Sequence, residues 1–188
     1  MTQKITKAKA LCYVVRDGSL LVHRHTDFPW EEVGVQVPAG TIREGEEPEA
    51  AALREAREET GLDNFKIVRK VGVTTYDMTP FRPEVQERHV FLLELTEPTP
   101  DRWASREDHD GEQEPTQFEC FWIQLKTAHV LKSGQGALLG HLYDRPCNRS
   151  RCGGSQWSAS PAARPGDELL RSLETETVSA PPHQQSQV

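Results

Sequence analysis

Three glutamates, Glu55, Glu58 and Glu59, carry the most distinctive chemistry in the sequence. On a helix they stand at i, i+3 and i+4, so their carboxylates leave one face within about one turn. Like charges so placed destabilise a helix by roughly 0.2–0.5 kcal/mol per pair. Such a cluster predicts a bound cation, and an all-oxygen donor set suits hard ions such as Mg²⁺, Mn²⁺ or Ca²⁺ rather than zinc.

The helix that must carry them is legible. Pro48 fits the first helical position and Gly61 the left-handed residue beyond the end. Between them Ala50, Ala51, Ala52, Leu53 and Ala56 form helix readily, and their small size lets the helix pack close to a sheet. Arg54 and Arg57 flank the acids as pairing partners, and Gly40 and Gly45 bracket the short loop that leads in.

The spacing Gly40, five residues, Glu46, seven residues, then Arg54-Glu55-Ala56-Arg57-Glu58-Glu59-Thr60-Gly61-Leu62 resembles the Nudix box at every defined position. The resemblance implies an α+β fold, a Nudix-like α/β/α sandwich with a mixed β-sheet between helices. It also implies Mg²⁺- or Mn²⁺-dependent cleavage of a nucleoside diphosphate linked to another group, such as a nucleoside triphosphate, an ADP-ribose-like sugar or a dinucleotide. By the same resemblance Glu58 and Glu59 are the main metal ligands, helped by Glu55 and the backbone carbonyl of Ala39. Arg54 orients the carboxylates, and Gly40, Glu46 and Gly61 are structural. Arg24 stands where family members often contact substrate phosphates, and a solvated strand-end arginine is the alternative. The proton acceptor is Glu55 or an acid from a loop before the last strand. Glu114 is the first choice for that acid, with Glu112 and Glu87 behind it. The rival function is a nucleotide-binding regulatory module without turnover.

The chain has 188 residues, 36% hydrophobic and 27% charged, with a formal net charge of −7. That acidity argues against holding nucleic acid by its backbone, though not against a small polyphosphate, because a bound cation reverses the local sign. The partner expected is therefore a small nucleotide derivative, with no nucleic acid or membrane, and a homodimer is left open. The opening MTQKITKAKA has no apolar run fit for a signal peptide, and no stretch reaches membrane-spanning length. Four cysteines, Cys12, Cys120, Cys147 and Cys152, form no CxxC pair and read as free thiols, giving a cytoplasmic expectation.

Strands are expected over residues 8–15 and 19–25, joined by the hairpin signal Asp17-Gly18, and over 33–37. Further strands are expected over 65–75, kinked at Gly72, then 88–95 and 117–125. The run 88–95 is apolar enough for a strand covered on both faces. Phe28 and Trp30 read as core cover rather than as stacking partners for a base. Residues 96–115 are polar and acidic and read as a long loop. A closing helix is expected from Gln135, with Leu138, Leu139 and Leu142 on its buried stripe. The domain is expected over 1–143. Residues 144–188, rich in Pro, Ser and Gln, are expected to be disordered apart from a short helix near 167–174.

Overall fold

The computed structural model describes residues 4–143 except 112 and 113. Seven strands form one mixed sheet: β1 (Ile5–Arg16), β2 (Ser19–His25), β3 (Ala39–Thr41), β4 (Phe65–Asp77), β5 (Glu84–Leu95), β6 (Arg102–Glu107) and β7 (Thr116–Gln124). The order is β4-β5-β1-β2-β7-β6, with β3 beside β1. β1 runs parallel to β5, and the other pairs are antiparallel.

The β1–β2 hairpin closes through Asp17 and Gly18, at φ 49° and 74°. Two positive φ values at a two-residue turn match the right-handed twist of the flanking strands. β4 slips register between Lys70 and Gly72, where the kink is expected.

Helix α2 (Pro48–Thr60) covers one face of the sheet. Its Ala51, Ala52 and Ala56 are fully buried against Ala10, Cys12, Val14, Phe91 and Leu93. The other face buries Leu11, Tyr13, Leu20, Val22, Val90 and Phe121. It is covered by the four-residue helix α1 (Trp30–Val33) and by 3₁₀ turns, Leu125–Val130, Lys132–Gly134 and Leu139–Leu142. Leu138, Leu139 and Leu142 do pack on that core. The expected closing α-helix is replaced by these turns: Gly134, Gly136 and Gly140 interrupt the run, and Ser133 and Gly134 take positive φ.

The expected loop over 96–115 is also corrected. Its middle is strand β6, paired with β7 from Arg102 opposite Phe121 to Glu107 opposite Thr116. The sequence signal was a weak alternation in which Trp103 and Ser105 turn inward between Arg102, Ala104 and Arg106. On an edge strand only one side is paired, and charged residues there hide the period.

Phe28 and Trp30, expected as core cover, are about half exposed. Cys12 and Cys120 are free and buried. Cys147, Cys152, Glu112 and the expectations for 144–188 lie outside the described residues. Among the described residues, no helix is long and apolar enough to cross a membrane.

Candidate active site

Helix α2 begins at Pro48 and ends at Gly61 with φ 69°, whose N–H bonds the carbonyl of Arg57. Trp103 of β6 donates its indole N–H to the carbonyl of Thr60 at 2.8 Å, tying the helix end to the edge strand. This brings β6 alongside the acidic face of α2.

Glu55, Glu58 and Glu107 each place a carboxylate oxygen within 4.8 Å of the others. Two come from the helix and the third from the last residue of β6, so carboxylates approach from two directions. They line an open cavity of about 700 Å³ together with Glu59, Ala39, Lys9, Arg43, Arg57 and Arg106. Acids and cations sharing one lining can receive a polyanion together with a metal cation.

Arg54 organises the acids. Its Nε and Nη2 form a fork on Glu46 at 2.8 and 2.9 Å. Nη1 donates to Glu55 and Glu58, both at 2.8 Å, and Nη2 also reaches the Thr41 carbonyl at 2.9 Å. All five guanidinium N–H groups are therefore occupied. That fork holds the Glu46 carboxyl far down, at about 2. Glu46 also accepts from the Arg43 N–H at 2.8 Å, closing the loop that precedes α2.

Glu59 is buried beside the trio rather than in it, accepting from the Ala39 N–H at 2.8 Å. Burial raises its carboxyl well above the ordinary range, with the Glu55 and Glu107 charges adding to the effect. Burial likewise raises Glu55 and Glu107. His23 Nδ1 lies 3.8 Å from Glu59, but burial lowers this imidazole to about 3, so the contact is not an ion pair. Glu107 is held from behind by His109 Nδ1 at 3.1 Å, and His109 Nε2 lies 2.8 Å from Thr116 Oγ1.

The remaining expected positions lie elsewhere. Glu114 is exposed and does not line the cavity; the acid that approaches the helix carboxylates from outside the helix is Glu107. The reason is register: β6 ends at Glu107, and the 3₁₀ turn His109–Gly111 carries the following residues away. Glu87 points to solvent and pairs with His89 at 2.9 Å. Arg24 bonds Glu119 at 2.7 Å and lies over the Trp30 ring, away from the box cavity.

Residues 6–141 match the NUDIX domain model. Among curated relatives, the chain is 38% identical over 88 residues to an ADP-ribose pyrophosphatase of Bacillus subtilis, 46% of this chain and 45% of that protein. It is 45% identical over 64 residues to an RNA pyrophosphohydrolase of Gluconobacter oxydans, 34% of this chain and 36% of that protein. Each alignment thus spans less than half the relative's length. Among solved structures, a MutT NUDIX hydrolase from Burkholderia pseudomallei aligns over 74% of this chain and 99% of its own, with TM-score 0.53 and 19% identity. A NUDIX hydrolase from Nitrosomonas europaea aligns over 73% and 86%, with TM-score 0.53 and 15% identity. These likenesses carry the fold, and the domain match covers most of the chain: the protein belongs to the Nudix family.

Proposed function

We propose that this chain is a metal-dependent pyrophosphohydrolase that cleaves the phosphoanhydride of a nucleoside diphosphate linked to another group. The observation that carries the reading is the approach of Glu55, Glu58 and Glu107 from two elements to within 4.8 Å. Nudix hydrolases generally use divalent metal ions. The residues here fit one: three carboxylates converge with the Arg54 guanidinium on only two of them, and their oxygens suit Mg²⁺ or Mn²⁺. Glu55 and Glu58 would hold it, with Glu59 and the Ala39 carbonyl alongside. When bound, the ion supplies positive charge against the phosphate oxygens and makes water more acidic.

Lys9, Arg43, Arg57 and Arg106 receive the outer phosphate oxygens. Arg54 keeps the helix carboxylates in register, because its N–H groups are already committed to them. Glu107 serves as proton acceptor: it comes from β6 while the other acids come from the helix, and burial raises its carboxyl above the ordinary range. Glu55 is the less apt base, since Arg54 bonds it directly.

The names of the relatives, an ADP-ribose pyrophosphatase and an RNA pyrophosphohydrolase, favour a nucleotide derivative as substrate. A panel of ADP-ribose, nucleoside triphosphates and dinucleoside polyphosphates, assayed with Mg²⁺ or Mn²⁺ for released phosphate or pyrophosphate, tests the reading. Turnover of at least one, lost in Glu58→Gln, is expected. Metal-dependent nucleotide binding without turnover of any of them would instead favour the regulatory module.

A further inference from the structure

A buried arginine stands next to the catalytic cavity without a counter-charge. Arg88 of β5 is only 3% exposed, yet among the described residues no carboxylate forms an ion pair with it. Three of its five N–H groups are used on neutral acceptors: Nε and Nη2 on Gln86 Oε1 at 3.0 and 2.8 Å, and Nη1 on the Ser133 carbonyl at 2.6 Å. Its guanidinium lies 4.2 Å from the centre of the Tyr76 ring. The nearest acid along the hydrogen-bond chain is Glu84, which takes the Gln86 amide at 3.1 Å and is itself paired with Lys7 at 3.0 Å.

This leaves one N–H on each terminal nitrogen to donate to an incoming oxygen. Leaving a buried charge uncompensated is costly, and an incoming anion relieves that cost. Burial depresses the Arg88 guanidinium below its ordinary range, in keeping with a missing counter-ion.

Space for the anion is present. Arg88 lines a cavity of about 190 Å³, and Lys9 and Ala39 line both this cavity and the larger one that holds the box glutamates. Lys9 and Arg88 are register partners on β1 and β5, and both line this smaller cavity. The far wall is fixed by Gln135, whose carbonyl accepts from Tyr13 at 2.5 Å and whose side chain accepts from the Val37 N–H at 2.8 Å.

We propose that the cavity around Arg88 is an anion subsite, taking a phosphate or carboxylate carried by the substrate beyond its scissile diphosphate and reached past Lys9. The placement of the diphosphate rests on the hydrolase reading above; the anion site itself does not. Substrates with an additional phosphate or an acidic substituent are thereby favoured over those ending in a neutral sugar.

The test uses full-length protein stripped of metal by chelation, so that neither turnover nor the metal site contributes. Inorganic phosphate is titrated while the side-chain ¹⁵N signals of arginine are followed, and its Kd is measured calorimetrically. A saturable shift of the Arg88 signals is expected, with phosphate affinity at least about tenfold weaker in Arg88→Lys, which keeps the charge but loses the guanidinium N–H groups. Saturable shifts confined to other arginines, or unchanged affinity in Arg88→Lys, would overturn the proposal. The wild-type spectrum decides the matter even if the variant does not fold. Failure here leaves the hydrolase reading standing, because that reading is judged by turnover and by Glu58→Gln.

Discussion

The carboxylate of Glu55 occupies the space that a side chain on residue 40 would need: a Cβ built on Gly40 would overlap Glu55 Oε1, Oε2 and Cδ. Gly40 belongs to β3, paired with Ala10 of β1, and Glu55 to the buried face of α2. The glycine is required by close approach, since its φ is not in the left-handed region. Gly40→Ala should displace Glu55 while β3 stays paired. We expect at least about tenfold weaker Mn²⁺ binding by calorimetry and a stability loss of about 1–3 kcal/mol from overpacking. Wild-type metal affinity in this variant would mean that Glu55 does not hold the ion.

Glu107→Gln tests the acid that β6 supplies. If Glu107 takes the water proton, kcat should fall about 100-fold or more with KM little changed, since general base catalysis is worth about 10²–10⁴. Glu114→Gln and Glu87→Gln, both exposed and away from the cavity, should give near-normal kinetics. A reversed outcome, with Glu114 the sensitive residue, would place the base in the loop after β6.

Arg54→Lys probes the organiser. Lysine keeps a charge but cannot hold Glu46 with a fork while also bonding Glu55 and Glu58. Thermal denaturation should show a loss of about 1–3 kcal/mol, the cost of leaving part-buried polar groups unpaired. Metal affinity should fall as well. Loss of stability with unchanged metal affinity would confine Arg54 to a role in the loop.

The buried carboxylates contribute to the pH dependence of stability with a definite sign. Glu55, Glu59 and Glu107 have folded-state values raised above the unfolded ones. Their contribution is therefore fully present below the unfolded value and is lost as pH rises through the folded one. Compared with Glu59→Gln, whose side chain does not titrate, metal-free wild-type protein should lose melting temperature from about pH 5 to about pH 8; the comparison cancels the opposite contribution of buried His23, held at about 3. Glu46, held at about 2, does not titrate in that window. Saturating Mg²⁺ should flatten the difference, because ligands must be deprotonated to bind it. A difference between wild type and Glu59→Gln that stays constant from about pH 5 to about pH 8 without metal would contradict the raised carboxylates.

The helical acids were legible in the sequence because their geometry is local. A 3.6-residue period places Glu55, Glu58 and Glu59 on one face wherever the helix goes, and Pro48 and Gly61 mark its ends with backbone restrictions that act within one residue. The hairpin at Asp17-Gly18 was equally local, requiring only two residues that tolerate positive φ. Glu107 was not legible, because its role depends on β6 pairing with β7 and on Trp103 reaching Thr60, 43 positions away. The charged exposed side of that edge strand left only a faint alternation to read. Arg88 stood in plain view in the sequence, but its isolation depends on which side chains β1, β4 and the 132–135 turn bring around it. Spacing along a helix is set by the chain itself, whereas strand register decides which distant charges meet or are left unpaired.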